Sequence, residues 1–189
     1  MIDPLTLAVG LFIVVGVILY FVFASFLYGA GYQPTPRRVV ERMLAAAEVG
    51  PDDRLVDLGA GTGAIVFRAA RERGATVTGV EVEPVRVLVL RLRRAFGGPR
   101  ERVTIRWGNM FGVDLTTTTV VTCFLWTGAM ERLRPKFESE LPDGARVVSH
   151  WHPIPGWRVA AYDPGLHVYL YRWPRAKLSR VAAGPPSAD

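Results

Sequence analysis

The chain is poor in two residue types whose scarcity is informative. It has a single cysteine, Cys123, which lies in an apolar run, so no disulfide can form within the chain and a small buried side chain is the simplest interpretation. Lys136 and Lys177 are the only lysines among 23 basic residues, so the formal charge of +6 comes almost wholly from arginine. This basic balance favours anionic partners, either phospholipid headgroups or nucleic acid.

Charge is missing altogether from Leu5 to Ala30. A helix over such a run could cross a hydrocarbon core of roughly 30 Å. Residues 1–4 contain no lysine or arginine, so an uncleaved membrane anchor is favoured over a cleaved signal peptide. Arg37, Arg38 and Arg42 follow the run, and the positive-inside rule then predicts a single-pass membrane protein whose C-terminal part lies on the cytoplasmic face, or on the matrix face of a mitochondrion. Lipid is therefore the first anionic partner expected.

What the chain does have is a glycine motif, Leu55-Val-Asp-Leu-Gly-Ala-Gly-Thr-Gly63. An apolar strand pattern that runs into alternate glycines lets the backbone turn sharply and approach a ligand closely. Gly59, Gly61 and Ala64 also fit the dinucleotide pattern, so the glycines alone leave a nicotinamide cofactor open. Asp57 favours another ligand, because a carboxylate there is unfavourable beside a pyrophosphate and favourable beside a cationic amino-acid group. The motif thus favours S-adenosylmethionine.

A second acidic position supports this interpretation. The segment 75–80 alternates as a strand and ends in Glu81, where a carboxylate can hold both ribose hydroxyls. A third strand, 103–107, leads to Asn109, whose amide oxygen can accept a hydrogen bond from adenine, and to Met110, which can pack nearby. The glycine motif with the following acidic strand end resembles motif I and the acidic loop of class I methyltransferases. The cofactor-binding residues expected from this resemblance are Thr35, Asp57, Gly59, Ala60, Gly61, Gly63, Glu81, Val82, Asn109 and Met110.

Strand and helix patterns alternate along the rest of the chain, which predicts an α/β fold with a parallel sheet. With the resemblance, we expect a minimal Rossmann-like class I methyltransferase sheet preceded by one transmembrane helix. Its parts are an anchor over 1–31, a methyltransferase domain over 32–173 and a disordered tail over 174–189. Thr35 is suited to cap the helix that Pro36 opens.

The helix that begins at Pro84 is predicted to bury an apolar stripe and to expose its arginines. The arginines are expected to form a solvated face that, beside a bilayer, could contact anionic lipid. The stripe consists of Val85, Leu88, Val89, Leu92 and Phe96, and the arginines are Arg86, Arg91, Arg93 and Arg94.

Several segments together resemble one family: the small protein-lysine methyltransferases of archaea and, with a membrane anchor, of mitochondria. The resemblance covers about residues 30–172 and depends on Tyr32-Gln-Pro-Thr-Pro36 with 39–44, on the glycine motif, and on Val147-Val-Ser-His150 with Pro155-Gly-Trp157. It implies transfer of methyl groups to lysine ε-amino groups of proteins, with a membrane-associated substrate for an anchored member.

Methyl transfer from a sulfonium needs a positioned neutral nucleophile rather than a catalytic triad. An aromatic channel would favour a neutral lysine by desolvating its ammonium group. Five aromatic side chains could line it, of which about two are expected to contact substrate: Tyr32, Phe124, Trp126, Trp151 and Trp157. His150 could receive the proton or hold a loop. His150 and His152 have no third ligand at metal-site spacing, so no metal is expected.

Other functions stay open at this point. The same features fit a methyltransferase for a lipid, a quinone or another hydrophobic small molecule. Thr62, Asn109 and Trp126 differ from the residues usual in such enzymes, which leaves open a non-catalytic scaffold tethered to a membrane. Methylation of nucleic acid is the least favoured, because the basic residues are dispersed and no separate RNA-binding element is visible.

Overall fold

The computed structural model describes residues 3–27 and 33–174, without the side chains of residue 18 and residues 21–27. The chain divides into two compact units, Met1–Gln33 and Pro34–Asp189. Two sequence predictions lie outside the described residues: Tyr32, and the tail beyond residue 174.

Helix α1, Pro4–Leu27, lies in the first unit and begins where Asp3 accepts hydrogen bonds from the backbone N–H groups of Leu5 and Thr6. Its described side chains are mostly apolar and exposed. Over the described part of the chain, no helix is both long and apolar enough to cross a membrane. The predicted transmembrane helix is therefore not supported.

The second unit combines helices with a seven-stranded sheet. The helices are α2 Arg37–Ala46, α3 Ala64–Glu72, α4 Pro84–Gly97 and α5 Thr127–Glu140. The strands are β1 Arg54–Leu58, β2 Thr76–Glu81, β3 Val103–Trp107, β4 Val120–Cys123, β5 Arg146–His150, β6 Ala161–Asp163 and β7 Val168–Arg172. The sheet order is β3-β2-β1-β4-β5-β7-β6, with β1 to β5 parallel and β7 antiparallel to both of its neighbours.

This order places a crevice beside the glycine motif. The chain moves outward from β1 to β3, then returns to β4 on the other side of β1, so the strand order reverses between β1 and β4. Right-handed crossovers put α3 and α4 on one face of the sheet and α5 on the other. Ligands of such sheets bind outside the carboxyl ends of the strands at the reversal. The residues that follow β1, β2, β4 and β5 therefore meet at one edge.

The central strands are almost continuously apolar because both faces of the sheet are buried there. Leu55 and Val77 are fully covered, as is every residue of β4. Continuous apolar runs of this kind are typical of parallel strands covered by helices. Gly63, at φ 88°, ends the turn after β1 and is the N-cap residue of α3.

Two local predictions were wrong. Helix α2 begins at Arg37 with Pro36 as its N-cap, and no side chain caps it, so Thr35 does not have the predicted capping role. In α4 the buried residues are Val87 and Leu90, whereas most of the predicted stripe is exposed. Apolar residues occupy two sides of α4, and packing against β2 and β3 selects the side that periodicity did not.

Candidate active site

The turn after β1 forms one wall of the candidate site. Gly59 and Gly61 have positive φ angles of 79° and 56°. The backbone N–H groups of Gly59 and Ala60 donate to the Val80 carbonyl oxygen at 3.0 and 2.9 Å. The positive φ angle favours glycine at position 59, and a Cβ atom there would lie 3.1 Å from Leu125 Cδ2, a tight contact. The same distance shows that Leu125, which follows β4, lies next to the turn.

Glu81, at the end of β2, is fixed against this turn. Its Oε2 accepts from the Gly61 N–H at 2.8 Å, and its Oε1 accepts from the N–H groups of Val82 and Glu83 at 3.0 Å. The Glu83 carboxylate in turn caps α4. Each carboxylate oxygen has two lone pairs, so Oε1 is fully used and Oε2 keeps acceptor capacity for one hydroxyl group.

Asp57 is buried and accepts a 2.7 Å hydrogen bond from the Thr122 hydroxyl. The two residues are register partners on β1 and β4. Desolvation raises the pKa of Asp57 to about 7, the Thr122 hydrogen bond opposes this rise, and the nearby charge of Glu81 adds to it. A cationic group bound beside these acids would offset both the burial and the repulsion.

Asn109 follows β3 and is exposed. Its Oδ1 accepts from the Phe111 N–H at 3.0 Å and so caps the short 3-10 turn Met110–Gly112. Part of the acceptor capacity predicted for adenine is therefore used within the turn. Met110 and Val82 are half-buried, and the Val82 carbonyl accepts from Trp107 Nε1 at 3.0 Å.

An aromatic cluster follows the ends of β4 and β5. The Phe124 and His150 rings lie 4.4 Å apart between centroids, and those of Trp126 and His152 lie 5.5 Å apart. His152 Nδ1 is 3.2 Å from the Thr127 hydroxyl. The structure thus brings predicted residues from two separate segments together.

His150 has a defined protonation pattern within this cluster. Burial lowers its pKa, so the imidazole is neutral near pH 7. Its Nδ1 lies 3.3 Å from the His167 carbonyl oxygen, which can only accept, so Nδ1 carries the proton. Nε2 is then the acceptor.

Trp151 has a φ of 67°, an unusual backbone conformation for a bulky residue. Its N–H donates to the His167 carbonyl at 2.8 Å, and its exposed ring lies 4.5 Å from the His167 ring. Strain of this kind concentrates at functional positions, so we interpret it as fixing the ring at the rim of the site.

The remaining predicted residues lie apart from this cluster or cannot be placed in it. Trp157 is buried and stacks on Trp173 at 5.2 Å, with Phe137 and Tyr171 also in contact, so it belongs to the core. Thr35 is half-buried in the segment before α2.

Sequence reasoning missed three contributors, Thr122, His152 and His167, for which roles in the site were not predicted. A hydroxyl within the otherwise apolar β4 was an available signal for Thr122. The position of His167 depends on the pairing of β5 with β7, which the sequence pattern did not reveal.

The site fits S-adenosylmethionine better than a dinucleotide. The glycine turn has the close-approach geometry that a nucleoside cofactor needs, Glu81 can accept from a ribose hydroxyl, and the buried Asp57 suits a cationic amino-acid group. Among the described residues no group of three or more histidines, cysteines or acids is arranged to hold a metal ion.

Comparison with known proteins gives a consistent fold and cofactor. Residues 57–161 match the family model described as ANTKMT methyltransferase domain. A protein-lysine N-methyltransferase of Saccharolobus islandicus (strain REY15A) is 42% identical over 147 residues, which cover 74% of this chain and 91% of that protein. The adenine nucleotide translocase lysine N-methyltransferase of Mus musculus is 33% identical over 130 residues, which cover 69% of this chain but only 56% of the mouse protein.

A solved structure from Salinibacter ruber, described as an RNA methyltransferase in complex with S-adenosyl-L-homocysteine, superposes with a TM-score of 0.72 at 38% identity. The match covers 74% of this chain and 93% of that one. The seven-stranded Rossmann-like methyltransferase fold is thereby shown, while the names of the similar proteins divide between protein and RNA substrates.

Proposed function

The chain belongs to the family of ANTKMT methyltransferase domains and is an S-adenosylmethionine-dependent methyltransferase, and on that premise we propose that it methylates lysine ε-amino groups of a protein. The observation that carries the proposal is the position of Leu125 beside the cofactor turn, where a Cβ atom placed on Gly59 would lie 3.1 Å from Leu125 Cδ2. Leu125 directly follows Phe124, whose ring lies 4.4 Å from the His150 ring, so the aromatic pair is close to that turn. A nucleophile that enters between the aromatic rings would meet the cofactor side of the site.

The residues divide the chemistry between them. S-adenosylmethionine supplies an electrophilic methyl group when bound. Glu81 Oε2 would accept from a ribose hydroxyl, and Asp57 would hold the cationic amino-acid group. The fit of these acids orients the cofactor, so the protein's main contribution is positioning.

A lysine must arrive as the neutral amine, because an ammonium group has no lone pair. Its reference pKa is about 10.4, so the site has to favour deprotonation. The rings of Phe124, Trp126 and Trp151 would desolvate the ammonium group, and His150 Nε2 would accept its proton.

The test is transfer of radiolabelled methyl groups to a cell extract by the full chain. Label that proteinase removes, and that amino-acid analysis assigns to methyl-lysine, is the expected result. Chloroform-soluble label would indicate a lipid or small-molecule substrate instead. Absence of transfer by a folded chain that binds S-adenosylhomocysteine would overturn the proposed substrate class.

Two variants locate the chemistry. Phe124→Ala and His150→Gln should lower kcat at least tenfold while calorimetry shows unchanged S-adenosylhomocysteine binding. Ser139→Ala, exposed on α5, is the matched control. Equal activity of all three variants would exclude the aromatic pair from the site.

RNA is a second candidate substrate, favoured by the Salinibacter ruber structure and by the charge of +6. The same labelling experiment separates the two, because label on RNA is removed by ribonuclease and not by proteinase.

We also propose that the enzyme and its protein substrate associate with a membrane through α1, with the catalytic domain over 32–173. Support comes from the exposed apolar side chains of α1, including Phe12 and Val14. Phe12→Lys with Val14→Lys should abolish flotation of the full chain with vesicles of phosphatidylcholine alone, while Thr6→Ala should not. Unchanged flotation of the lysine variant would contradict this part of the proposal.

A further inference from the structure

Helix α4 has an unexpected exposed side. Leu88, Leu92 and Phe96 are 56%, 47% and 85% exposed, whereas Val87 and Leu90 on the opposite side are 2% and 0% exposed. The three exposed residues are spaced four apart and so form one stripe along the helix. We call this set the α4 stripe.

The surface next to the α4 stripe is strongly basic. Residues 88–107 contain six arginines and one acid, Glu101. Within the described part of the chain, none of the six forms an ion pair. They are Arg91, Arg93, Arg94, Arg100, Arg102 and Arg106. All but Arg91 donate to backbone carbonyl oxygens, which orient the guanidinium groups but do not neutralise their positive charge.

A depression of about 280 Å³ lies beside the stripe and is lined by Arg91, Arg94, Thr104 and Ile105. The Arg94 guanidinium is held there, because it donates to the carbonyl oxygens of Val103 at 2.6 Å and Arg100 at 2.8 Å. A fixed guanidinium, a second arginine and a hydroxyl together suit a phosphate group.

We propose that α4 and the β3 edge form a docking surface for an anionic phospholipid bilayer. The α4 stripe inserts its side chains at the boundary between headgroups and acyl chains, and the depression receives a lipid phosphate. Nucleic acid would use the arginines but leave Leu88, Leu92 and Phe96 in water. A second copy of the chain would cover the stripe but bring two arginine-rich edges together, which like-charge repulsion opposes.

The experiment measures immersion of the stripe directly in the full chain. Cys123 is buried and burial raises the pKa of its thiol, so a cysteine introduced by Leu88→Cys is the reactive one and accepts a nitroxide label. The vesicles are phosphatidylcholine with about 30 mol% phosphatidylglycerol, and phosphatidylcholine alone for comparison. Collision with a water-soluble nickel reagent reports exposure of the label. A label introduced by Ser139→Cys on α5 is the control.

The expected result is a several-fold loss of nickel collisions at position 88 on anionic vesicles only, with position 139 unchanged. Arg91→Glu should restore the collisions, and Arg91→Lys should not. If Leu88→Cys fails to fold, Phe96→Cys serves, since that side chain contributes little buried surface.

Three results would overturn the proposal. One is unchanged collisions at position 88 on vesicles that retain the protein, and another is failure of the protein to bind anionic vesicles at all. Spin–spin broadening between labels without lipid would instead identify the stripe as an interface between copies. Methyl-transfer activity and S-adenosylhomocysteine binding, measured in the same samples, report separately on the proposed function.

Discussion

Asp57 is an acid whose protonation the fold controls near neutral pH. Burial raises its pKa to about 7, from an ordinary value near 3.9. The folded protein therefore binds this proton more tightly than the unfolded chain, so the free energy of unfolding falls as pH rises from about 4 to about 7. The ionised form is nevertheless the one that suits a cationic ligand.

We predict that S-adenosylhomocysteine affinity rises with pH through about 7 and levels off about one pH unit above it. The loss on going from pH 7 to pH 6 should be about fivefold, because the ionised fraction of Asp57 falls from about one half to about one tenth and the protonated acid no longer attracts the ligand's ammonium group. Calorimetric titration across this range checks it. Asp57→Asn should bind weakly and show no such pH dependence, and a parallel pH dependence in that variant would assign the effect to another group.

Thr122 should act on the ligand through Asp57. Thr122→Val removes the 2.7 Å hydrogen bond, leaves a buried acceptor unsatisfied and should cost about 1–3 kcal/mol of unfolding free energy. The loss should also move the midpoint of the Asp57-linked affinity profile to higher pH, because that hydrogen bond lowers the pKa. Thr122→Ser should restore the midpoint. Chemical denaturation and the titration above measure the two effects, and a changed stability with an unmoved midpoint would limit Thr122 to a structural role.

Trp151 allows strain to be separated from function. Trp151→Gly and Trp151→Ala both remove the ring and should both reduce methyl transfer. Glycine adopts a φ of 67° without strain, so the glycine variant should be more stable than the alanine variant by about 1 kcal/mol. Urea denaturation gives the comparison. Equal stabilities would mean that the turn relaxes when the ring is lost.

At the scale of elements, α4 shows where periodicity is insufficient. Apolar residues mark two sides of this helix, and a pattern cannot state which side faces the sheet. Val87 and Leu90 are on the side that packs against the sheet, so Phe96 is exposed to solvent. The start of α2 also differs from the prediction. Pro36 is the N-cap residue rather than the first helical residue, and no side chain caps the helix.

The junction of β1 with α3 should tolerate no side chain. A Cβ at Gly63 would lie 2.6 Å from both Leu90 and Phe67, and φ is 88° there. Gly63→Ala should therefore cost more than about 2 kcal/mol of unfolding free energy, since strain and overpacking add. Gly112→Ala, where nothing lies within 4 Å, is the control in the same denaturation series and should change stability little. A comparable loss of unfolding free energy at both positions would mean that these loops are destabilised by any added side chain and that the contacts at Gly63 are not the cause.

At the scale of the whole molecule, ligand binding should couple to stability. A hundredfold excess of S-adenosylhomocysteine over its Kd should raise the free energy of unfolding by about 2.7 kcal/mol. Glu81→Ala should abolish the rise, because the variant loses the acceptor for the ribose. Thermal unfolding with and without ligand measures it, and Glu101→Ala, on the exposed β3 side, is the matched control. A ligand-induced rise that persists in Glu81→Ala would remove that residue from the binding site.

The sequence by itself determined the sheet-and-helix alternation, the glycine turn and the cofactor. Each follows from short-range patterns, because the glycines, Asp57 and the apolar runs act within a few residues along the chain. Asp57 could be assigned to a cationic group from charge, and Glu81 to the ribose hydroxyls from its place at the end of the second strand.

Only the tertiary structure decided which distant residues meet. Phe124 touches His150, Thr122 meets Asp57 and Trp157 turns into the core because strand order and the antiparallel β7 bring those segments together. Register and helix orientation depend on packing between elements far apart in the chain, and local periodicity carries no information about it. For the same reason the α4 stripe could be recognised only from the structure, in which the opposite side of the helix packs against the sheet.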